Sequence, residues 1–124
     1  MPDPRPSVSD AELEILKHLW ADGPATVRDL QRATPDRAYT TVQTLLARLE
    51  EKGFVEVDRT GHAHVFAAAV SRDELLDRSL DEIAERMCDG EASPLVLRLV
   101  QKGSWNKEDI AHFRRILEEH EGAE

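Results

Sequence analysis

Three threonines and a glutamine occur within five residues, at Thr40, Thr41, Gln43 and Thr44. Threonine is a poor helix former, because its branched side chain is stiff and its hydroxyl competes for main-chain hydrogen bonds. Nucleic-acid recognition would justify these residues, since glutamine can pair with N6 and N7 of adenine and a threonine methyl can pack on the methyl of thymine. The alternative is a solvated helix face, which more usually contains Glu, Lys and Ala.

A helix near Tyr39 to Lys52 is predicted to carry these side chains. Its apolar residues follow the spacing i, i+3, i+4, i+7, which is typical of a helix packed on a core; they are Val42, Leu45, Leu46 and Leu49. The opposite side shows the threonines, Gln43, Ala47 and Arg48. Gly53 follows where a left-handed residue commonly ends a helix.

Two helices are predicted before this one and a hairpin after it. Ser9 and Glu12 have capping-box spacing at the start of a helix over residues 9–20. The apolar face of that helix is predicted to consist of Leu13, Leu16, Leu19 and Trp20. Thr26 can cap a short second helix that runs to about Ala33 and turns Val27 and Leu30 inward.

The segments FVEVDR and HAHVFAA alternate by two around TGH, which indicates a β-hairpin. Three helices followed by a two-stranded wing are the order of a winged helix-turn-helix. In that architecture the third helix enters the DNA major groove and the hairpin touches the flanking backbone. We therefore expect a mainly α fold with a small β-hairpin, in which residues 1–70 form a winged-helix DNA-binding domain.

Residues 71–124 are predicted to form a helical dimerisation segment. Helices begin at Ser71, which forms a capping box with Glu74, at Ser93 as N-cap before Pro94, and at Asn106. Fifty-odd residues in three short helices cannot enclose a core alone, so burial against a second copy is expected. Packing onto the chain's own wing domain is the alternative. The predicted dimer interface consists of Leu75, Leu80, Ile83, Met87, Leu95, Leu99, Ile110, Phe113 and Leu117.

The formal net charge of −9 is divided unevenly along the chain. Residues 1–70 carry 8 Lys and Arg against 11 Asp and Glu, and residues 71–124 carry 8 against 14. DNA association depends on the local potential, and cations do occur near the predicted interface. The predicted DNA-binding residues are Arg37, Tyr39, Thr40, Thr41, Gln43, Thr44, Arg48, His62 and His64, with Arg59 nearby.

The sequence resembles the penicillinase-repressor (BlaI/MecI/CopY) family of bacterial transcription regulators. The resemblance runs from about Ser9 to Leu117 and is carried by AELEILKHLW, GPATVRDL, RAYTTVQTLLARLEEKGFV, GHAHVFAAAVS, LVLRLVQKG and KEDIAHFRRIL. It implies a homodimeric repressor that binds a palindromic operator in double-stranded DNA. The family's operators lie upstream of β-lactamase or copper-homeostasis genes, so control of β-lactam-response genes is implied.

The resemblance also implies a membrane sensor-protease pathway as a partner, in which the repressor is cleaved within its C-terminal segment. Typical members are cut at an Asn–Phe bond, and the corresponding residues here are Arg98 and Leu99. A long cation and an aliphatic side chain replace a short amide and an aromatic ring. A pocket shaped for one pair should accept the other poorly. We therefore expect a protease of different specificity or another route of release.

Other function classes find weaker support. Catalysis would pair Cys88 with His112 or His120, but no nucleophile turn marks that cysteine. His62 and His64 share a strand face, yet a metal site would need further ligands, and the cysteine-rich C-terminus of the copper-responsive branch is missing. We expect no enzyme activity, cofactor or metal; a metal-responsive regulator or a winged-helix protein-interaction module is the alternative.

The location in the cell is predicted from segments that the sequence lacks. No apolar run approaches the roughly 18 to 20 residues of a membrane span, and the first ten residues contain no signal-peptide core. The single cysteine also excludes an internal disulfide. We expect a cytoplasmic protein without membrane insertion.

Overall fold

The structure is a computed structural model that describes residues 5–123. Within this range six helices and two strands follow one another: α1 (Asp10–Asp22), α2 (Val27–Ala33), α3 (Tyr39–Lys52), β1 (Val55–Asp58), β2 (Val65–Ala68), α4 (Arg72–Met87), α5 (Ser93–Lys102) and α6 (Lys107–Gly122). The predicted fold class, mainly α with one hairpin, is confirmed, and α3 has the predicted bounds.

The hairpin is antiparallel and pairs Val55 with Ala68 and Asp58 with Val65. Residues 59–64 connect its strands and are called the wing loop below. Ala25, in the turn before α2, adds a bridge on the other side of β2. Its N–H donates to the Phe66 carbonyl at 2.9 Å, and the Phe66 N–H donates back at 2.8 Å. This bridge places the N-terminus of α2 beside the hairpin.

Four helices begin with a capping box, in which a side chain at the cap and one three residues later each accept the other's backbone N–H. The pairs are Ser9 with Glu12, Thr26 with Asp29, Ser71 with Glu74, and Asn106 with Asp109. The predicted N-cap at Ser93 is wrong by one residue. Ala92 already has helical backbone angles and caps α5 without a side-chain bond, so that Ser93 is the first helical residue.

A hydrophobic core lies between α1, α2, α3 and the hairpin. It contains Ile15, Leu16, Leu19, Leu30, Val42, Leu45, Leu46, Leu49, Phe54, Val55, Phe66 and Val70. The four α3 residues of this set were predicted. On α1, however, Ile15 is buried and Leu13 is only half-buried, because the core-facing line passes through Glu12, Ile15, Leu16 and Leu19.

The described chain divides into two compact units, the first ending at Leu80 and the second beginning at Asp81. The start of α4 therefore belongs to the first unit, where Leu75 packs against the core. Two arginines of this unit, Arg5 and Arg78, lie 4.7 Å and 5.9 Å from the ring centre of Phe54. The functional division after residue 70 stays a prediction.

The second unit has almost no interior. Of residues 81–123, Ala84 alone is buried. Its main side-chain contacts lie at the corner between α5 and α6. There the Trp105 and Phe113 rings meet edge to face, with their centres 5.0 Å apart. Trp105 Nε1 also donates to the Val100 carbonyl at 2.9 Å. A Cβ on Gly103 would overlap the Trp105 ring. None of the helices within residues 5–123 has both the length and the apolar character to cross a bilayer.

Candidate nucleic-acid interface

The polar face of α3 is open to solvent. Thr40, Thr41, Gln43, Thr44 and Arg48 are all exposed, whereas the leucines on the other side are buried. Ala38 precedes the helix with extended backbone and has no side chain that could cap it. The N–H groups of the first turn are therefore left for an external acceptor such as a phosphate oxygen.

The exposed residues occupy three lines along α3, because each residue turns the helix by about 100°. Thr40, Thr44 and Ala47 form the centre of the face. Tyr39 and Gln43 form the edge toward the wing, and Thr41 and Arg48 form the opposite edge. Gln43, the predicted base reader, and Arg48, another predicted DNA-binding residue, are thus on opposite edges of one surface.

Thr44 uses its hydroxyl within the helix. Its Oγ1 donates to the Thr40 carbonyl at 3.0 Å. A hydroxyl that donates in this way keeps its acceptor lone pairs but has no proton left for a ligand. In this rotamer Thr44 can accept a hydrogen bond from a base amino group or present its methyl to thymine, but it cannot donate.

A groove of about 650 Å³ separates α3 from the wing loop, with the N-terminus of α2 at one side. It is called the wing groove below. The charged and polar residues along it include Arg28, Tyr39, Gln43, Glu50, Arg59 and His64. Arg28 lies 5.9 Å from the ring centre of Tyr39, which places a cation beside the first turn of α3.

An ion pair crosses the wing groove. Arg59 Nη2 donates to Glu50 Oε1 at 2.7 Å. This hydrogen bond lowers the pKa of Glu50, although partial burial opposes it, and the nearby charges of Arg59 and His64 lower it further. The same bond raises the pKa of Arg59. Both groups therefore stay ionised at neutral pH.

The wing loop begins in a fixed turn. Asp58 Oδ1 accepts from the N–H and the hydroxyl of Thr60, at 2.9 and 2.6 Å. The hydroxyl bond is the main reason that the pKa of Asp58 is lowered, with the N–H bond second and burial opposing both. The predicted strand placement of His62 and His64 is wrong, because β2 begins only at Val65. Both histidines lie in the wing loop, where they are exposed and line the wing groove.

Arg37 has a protein partner. Its Nε and Nη2 both donate to Glu14 Oε2 of α1, at 3.0 and 2.7 Å. The side chain is about 30% exposed and ties the turn before α3 to α1. A DNA contact by Arg37 stays a prediction, and it requires this pair to be broken or shared.

Sequence reasoning missed two residues of this surface, Arg28 and Glu50. Glu50 is not among the predicted site residues, although it lies seven residues after Gln43 and hence on the same edge of α3. That spacing could have placed it on the wing side. Nothing local marks Arg28, because its position depends on the bridge that Ala25 forms with β2.

The predicted dimer residues differ in exposure. Those that are 39 to 77% exposed are Leu80, Ile83, Met87, Leu99, Ile110 and Leu117. Leu95 and Phe113 are half-buried, and Leu75 belongs to the first unit. The bond between Arg98 and Leu99 lies inside α5, so a protease that needs extended chain must first unwind that helix.

The spacing of metal-binding side chains and the position of Cys88 bear on metal binding and nucleophilic catalysis. In the range 5–123 there is no group of three His, Cys, Asp or Glu side chains that could hold a metal ion. Cys88 follows α4 in the second unit and is a half-exposed free thiol.

Comparison with known proteins gives a consistent result. The profile of the penicillinase repressor family matches residues 8–119. The penicillinase repressor of Bacillus licheniformis is 26% identical over 118 residues, which cover 93% of this chain and 92% of that protein. The transcriptional regulator BlaI of Mycobacterium tuberculosis is 34% identical over 119 residues, which cover 92% of this chain and 85% of that protein.

A solved structure resembles part of this chain. It is the solution structure of monomeric BlaI of Bacillus licheniformis in complex with the blaP half-operator, with a TM-score of 0.50 and 26% identity. The match covers 60% of this chain and 93% of that one. The similar part of that protein was therefore solved bound to half of an operator.

Proposed function

This chain belongs to the penicillinase repressor family, and we propose that it represses transcription as a homodimer on a palindromic operator, with α3 in the major groove. It is a DNA-binding transcriptional repressor. The observation that supports the placement of DNA is the exposed Thr and Gln face of α3, opposite a fully buried apolar face. Such a helix presents short hydrogen-bonding groups on a rigid support, which is what base reading requires.

Homodimerisation is supported by the second unit. Apolar side chains on α4, α5 and α6 are exposed there, among them Met87 at 77% and Leu117 at 65%. A monomer rarely leaves so many apolar residues in water, because each loses the free energy of burial. In a dimer with a two-fold axis, the exposed apolar residues of each copy would cover those of the other.

A dimer would also supply more positive charge to the DNA than one chain can. One chain brings few cations to DNA, and Arg37 and Arg59 are already paired with carboxylates. Two copies double the contacts, and their α3 helices can occupy half-sites one helical turn apart. We propose the cytoplasm as the location and, from the penicillinase repressor of Bacillus licheniformis, a penicillinase-type gene as the target.

The test compares two substitutions on opposite edges of α3. Gln43→Ala should lose about 1–3 kcal/mol of discrimination at one base position and leave binding to random DNA nearly unchanged. Arg48→Ala should weaken binding to all sequences and flatten the salt dependence by about one unit. The measurement is a titration of each variant with a footprinted fragment of the chain's own promoter and with random duplex, at several salt concentrations.

Equal losses on both duplexes for Gln43→Ala would remove Gln43 from the set of base readers. If the wild-type chain bound no duplex, the proposed DNA surface would be wrong. A protein partner retained on α3 under those conditions would favour an interaction module.

A further inference from the structure

Glu50 and Arg59 join α3 to the wing loop across the wing groove, at 2.7 Å. Their side chains are 35% and 53% exposed, so the pair stays in contact with water. An ion pair this exposed contributes little to folding, because water screens it and two long side chains must be ordered. We therefore expect the Glu50–Arg59 pair to affect the binding of another charged molecule rather than the stability of the fold.

The pair lies where DNA would pass. Glu50 follows Gln43 by seven residues and shares its edge of α3, while Arg59, His62 and His64 lie across the groove. A duplex that touches both Gln43 and the wing loop must bring its phosphates over this groove. Arg59 is the arginine of the wing loop, and guanidinium groups bind phosphate oxygens well. Glu50 already occupies that guanidinium.

We propose that Glu50 competes with DNA phosphate for Arg59 and thereby lowers the sequence-independent part of the repressor's affinity. Phosphate contacts supply most non-specific binding, and they add to operator binding in the same way. Holding Arg59 on the protein removes one such contact per chain. A repressor with fewer backbone contacts spends less of its time on random DNA, while Gln43 reads bases unaffected. This inference rests on the proposed DNA surface formed by α3 and the wing.

The competing explanation is simple repulsion between Glu50 and the DNA. The neighbouring Glu51 provides the matched control, because it is exposed on the same helix and makes no ion pair or hydrogen bond among the described side chains. Glu50→Gln and Glu51→Gln remove the same charge from adjacent positions of α3, whose side chains leave the helix about 100° apart. Only the first of them frees Arg59.

The experiment measures affinity for a random duplex and for the promoter fragment between about 50 and 200 mM salt, the range in which backbone contacts are resolved. Glu50→Gln should tighten binding to both duplexes by the same factor. Its slope of log affinity against log salt should steepen by about 0.9 for each phosphate gained, so its advantage over wild type shrinks about 3.5-fold per contact across this range. Glu51→Gln should change the slope by less than half as much.

Arg59 completes a double-mutant cycle. In the wild-type background Arg59→Ala should leave the slope almost unchanged, because Arg59 is already held by Glu50. In the Glu50→Gln background the same change should cancel the gain. Arg59 is exposed and Glu50 is half-buried, and unfolding midpoints that match the wild type confirm that the variants are folded.

Three results would overturn the proposal. They are equal slopes for Glu50→Gln and Glu51→Gln, a gain that persists in Glu50→Gln/Arg59→Ala, and a flattening of about one unit for Arg59→Ala alone. Each of these leaves the DNA-binding surface itself standing. Failure of the wild type to bind either duplex would overturn both proposals together.

Discussion

At the scale of single residues, the buried carboxylate of Glu12 in α1 forms an ion pair with Lys52 at the end of α3. The residue is 1% exposed, and its Oε1 accepts from Lys52 Nζ at 2.7 Å and from the Ser9 N–H at 2.9 Å. Burial by itself raises the pKa of this carboxyl, but the Lys52 and Ser9 hydrogen bonds outweigh it, and the pKa is lowered. Oε2 is buried and has no hydrogen-bond partner. The hydrogen bonds to Oε1 must therefore offset the cost of removing both carboxylate oxygens from water.

Glu12→Gln should therefore destabilise the first unit by about 3 kcal/mol, the lower end of the cost of breaking a buried pair, because Lys52 keeps some contact with water. The matched control is Glu14→Gln, which breaks the more exposed pair with Arg37 and should cost under about 1 kcal/mol. Urea unfolding measures both changes. Similar losses for the two variants would show that burial does not distinguish the pairs.

The same carboxylate sets a pH dependence. Because its pKa is lower in the folded than in the unfolded chain, the unfolded chain takes up a proton first as the pH falls. The stabilisation is fully present above the ordinary value of 4.5 and is lost as the pH falls through the lowered pKa. Below about pH 4.5 the difference in unfolding free energy between wild type and Glu12→Gln should shrink. A difference that is constant down to strongly acid pH would contradict this assignment.

At the scale of elements, the corner between α5 and α6 depends on one close approach. Gly103 has an ordinary negative φ of −79°, so any residue could adopt its backbone angles. What excludes a side chain is the Trp105 ring, which occupies the place of a Cβ. The ring in turn contacts Phe113 and donates to the last turn of α5.

Gly103→Ala should destabilise this corner by about 1–3 kcal/mol, the usual cost of overpacking. Gly122→Ala is the control, since a Cβ there meets nothing within 4 Å, and a helical glycine replaced by alanine gains up to about 1 kcal/mol. Thermal unfolding of the two variants measures the difference. Equal midpoints for the two variants would mean that the ring moves aside at no cost.

Local signals in the sequence predicted the elements well where pattern and end signals agreed. The α3 helix was predicted with its bounds because four apolar residues mark its buried side and Gly53, with φ 86°, ends it. Glu12 was not placed in the core, because a carboxylate reads as a solvent residue until its partner Lys52, forty positions away, is known. The Glu14–Arg37 and Glu50–Arg59 pairs were not predicted for the same reason, since they depend on how a helix meets the turn before α3 or the wing loop.

At the scale of the whole molecule, the two units contrast in how they bury apolar residues. The first encloses twelve core residues between helices and hairpin, whereas only Ala84 is buried in residues 81–123. The sequence predicted the need for a partner in the second unit, but could not separate Phe113, which packs on Trp105, from freely exposed residues such as Leu117.

Leu99→Asp should yield monomers, because it places a charge in the apolar surface proposed for the dimer. Operator affinity should then fall by about 100-fold or more, since two linked half-sites bind far more tightly than one. Gln101→Asp adds the same charge to α5 at a position that is polar already and should leave the dimer intact. Sedimentation measures both. A dimer that survives Leu99→Asp, and also Leu117→Asp, would move the interface elsewhere.

The scarcity of buried residues after Leu80 has a consequence for the abundance of the protein in the cell. If the second unit finds its interior only in a partner, its folding follows mass action, and each tenfold dilution costs the dimer about 1.4 kcal/mol. The first unit, with its own core, should melt at one temperature at any dilution, while the second should melt earlier as the sample is diluted. The number of chains in the cell therefore determines how much of the protein is dimeric. At low copy number each chain keeps its DNA-binding surface but loses the dimer contact that makes operator binding tight.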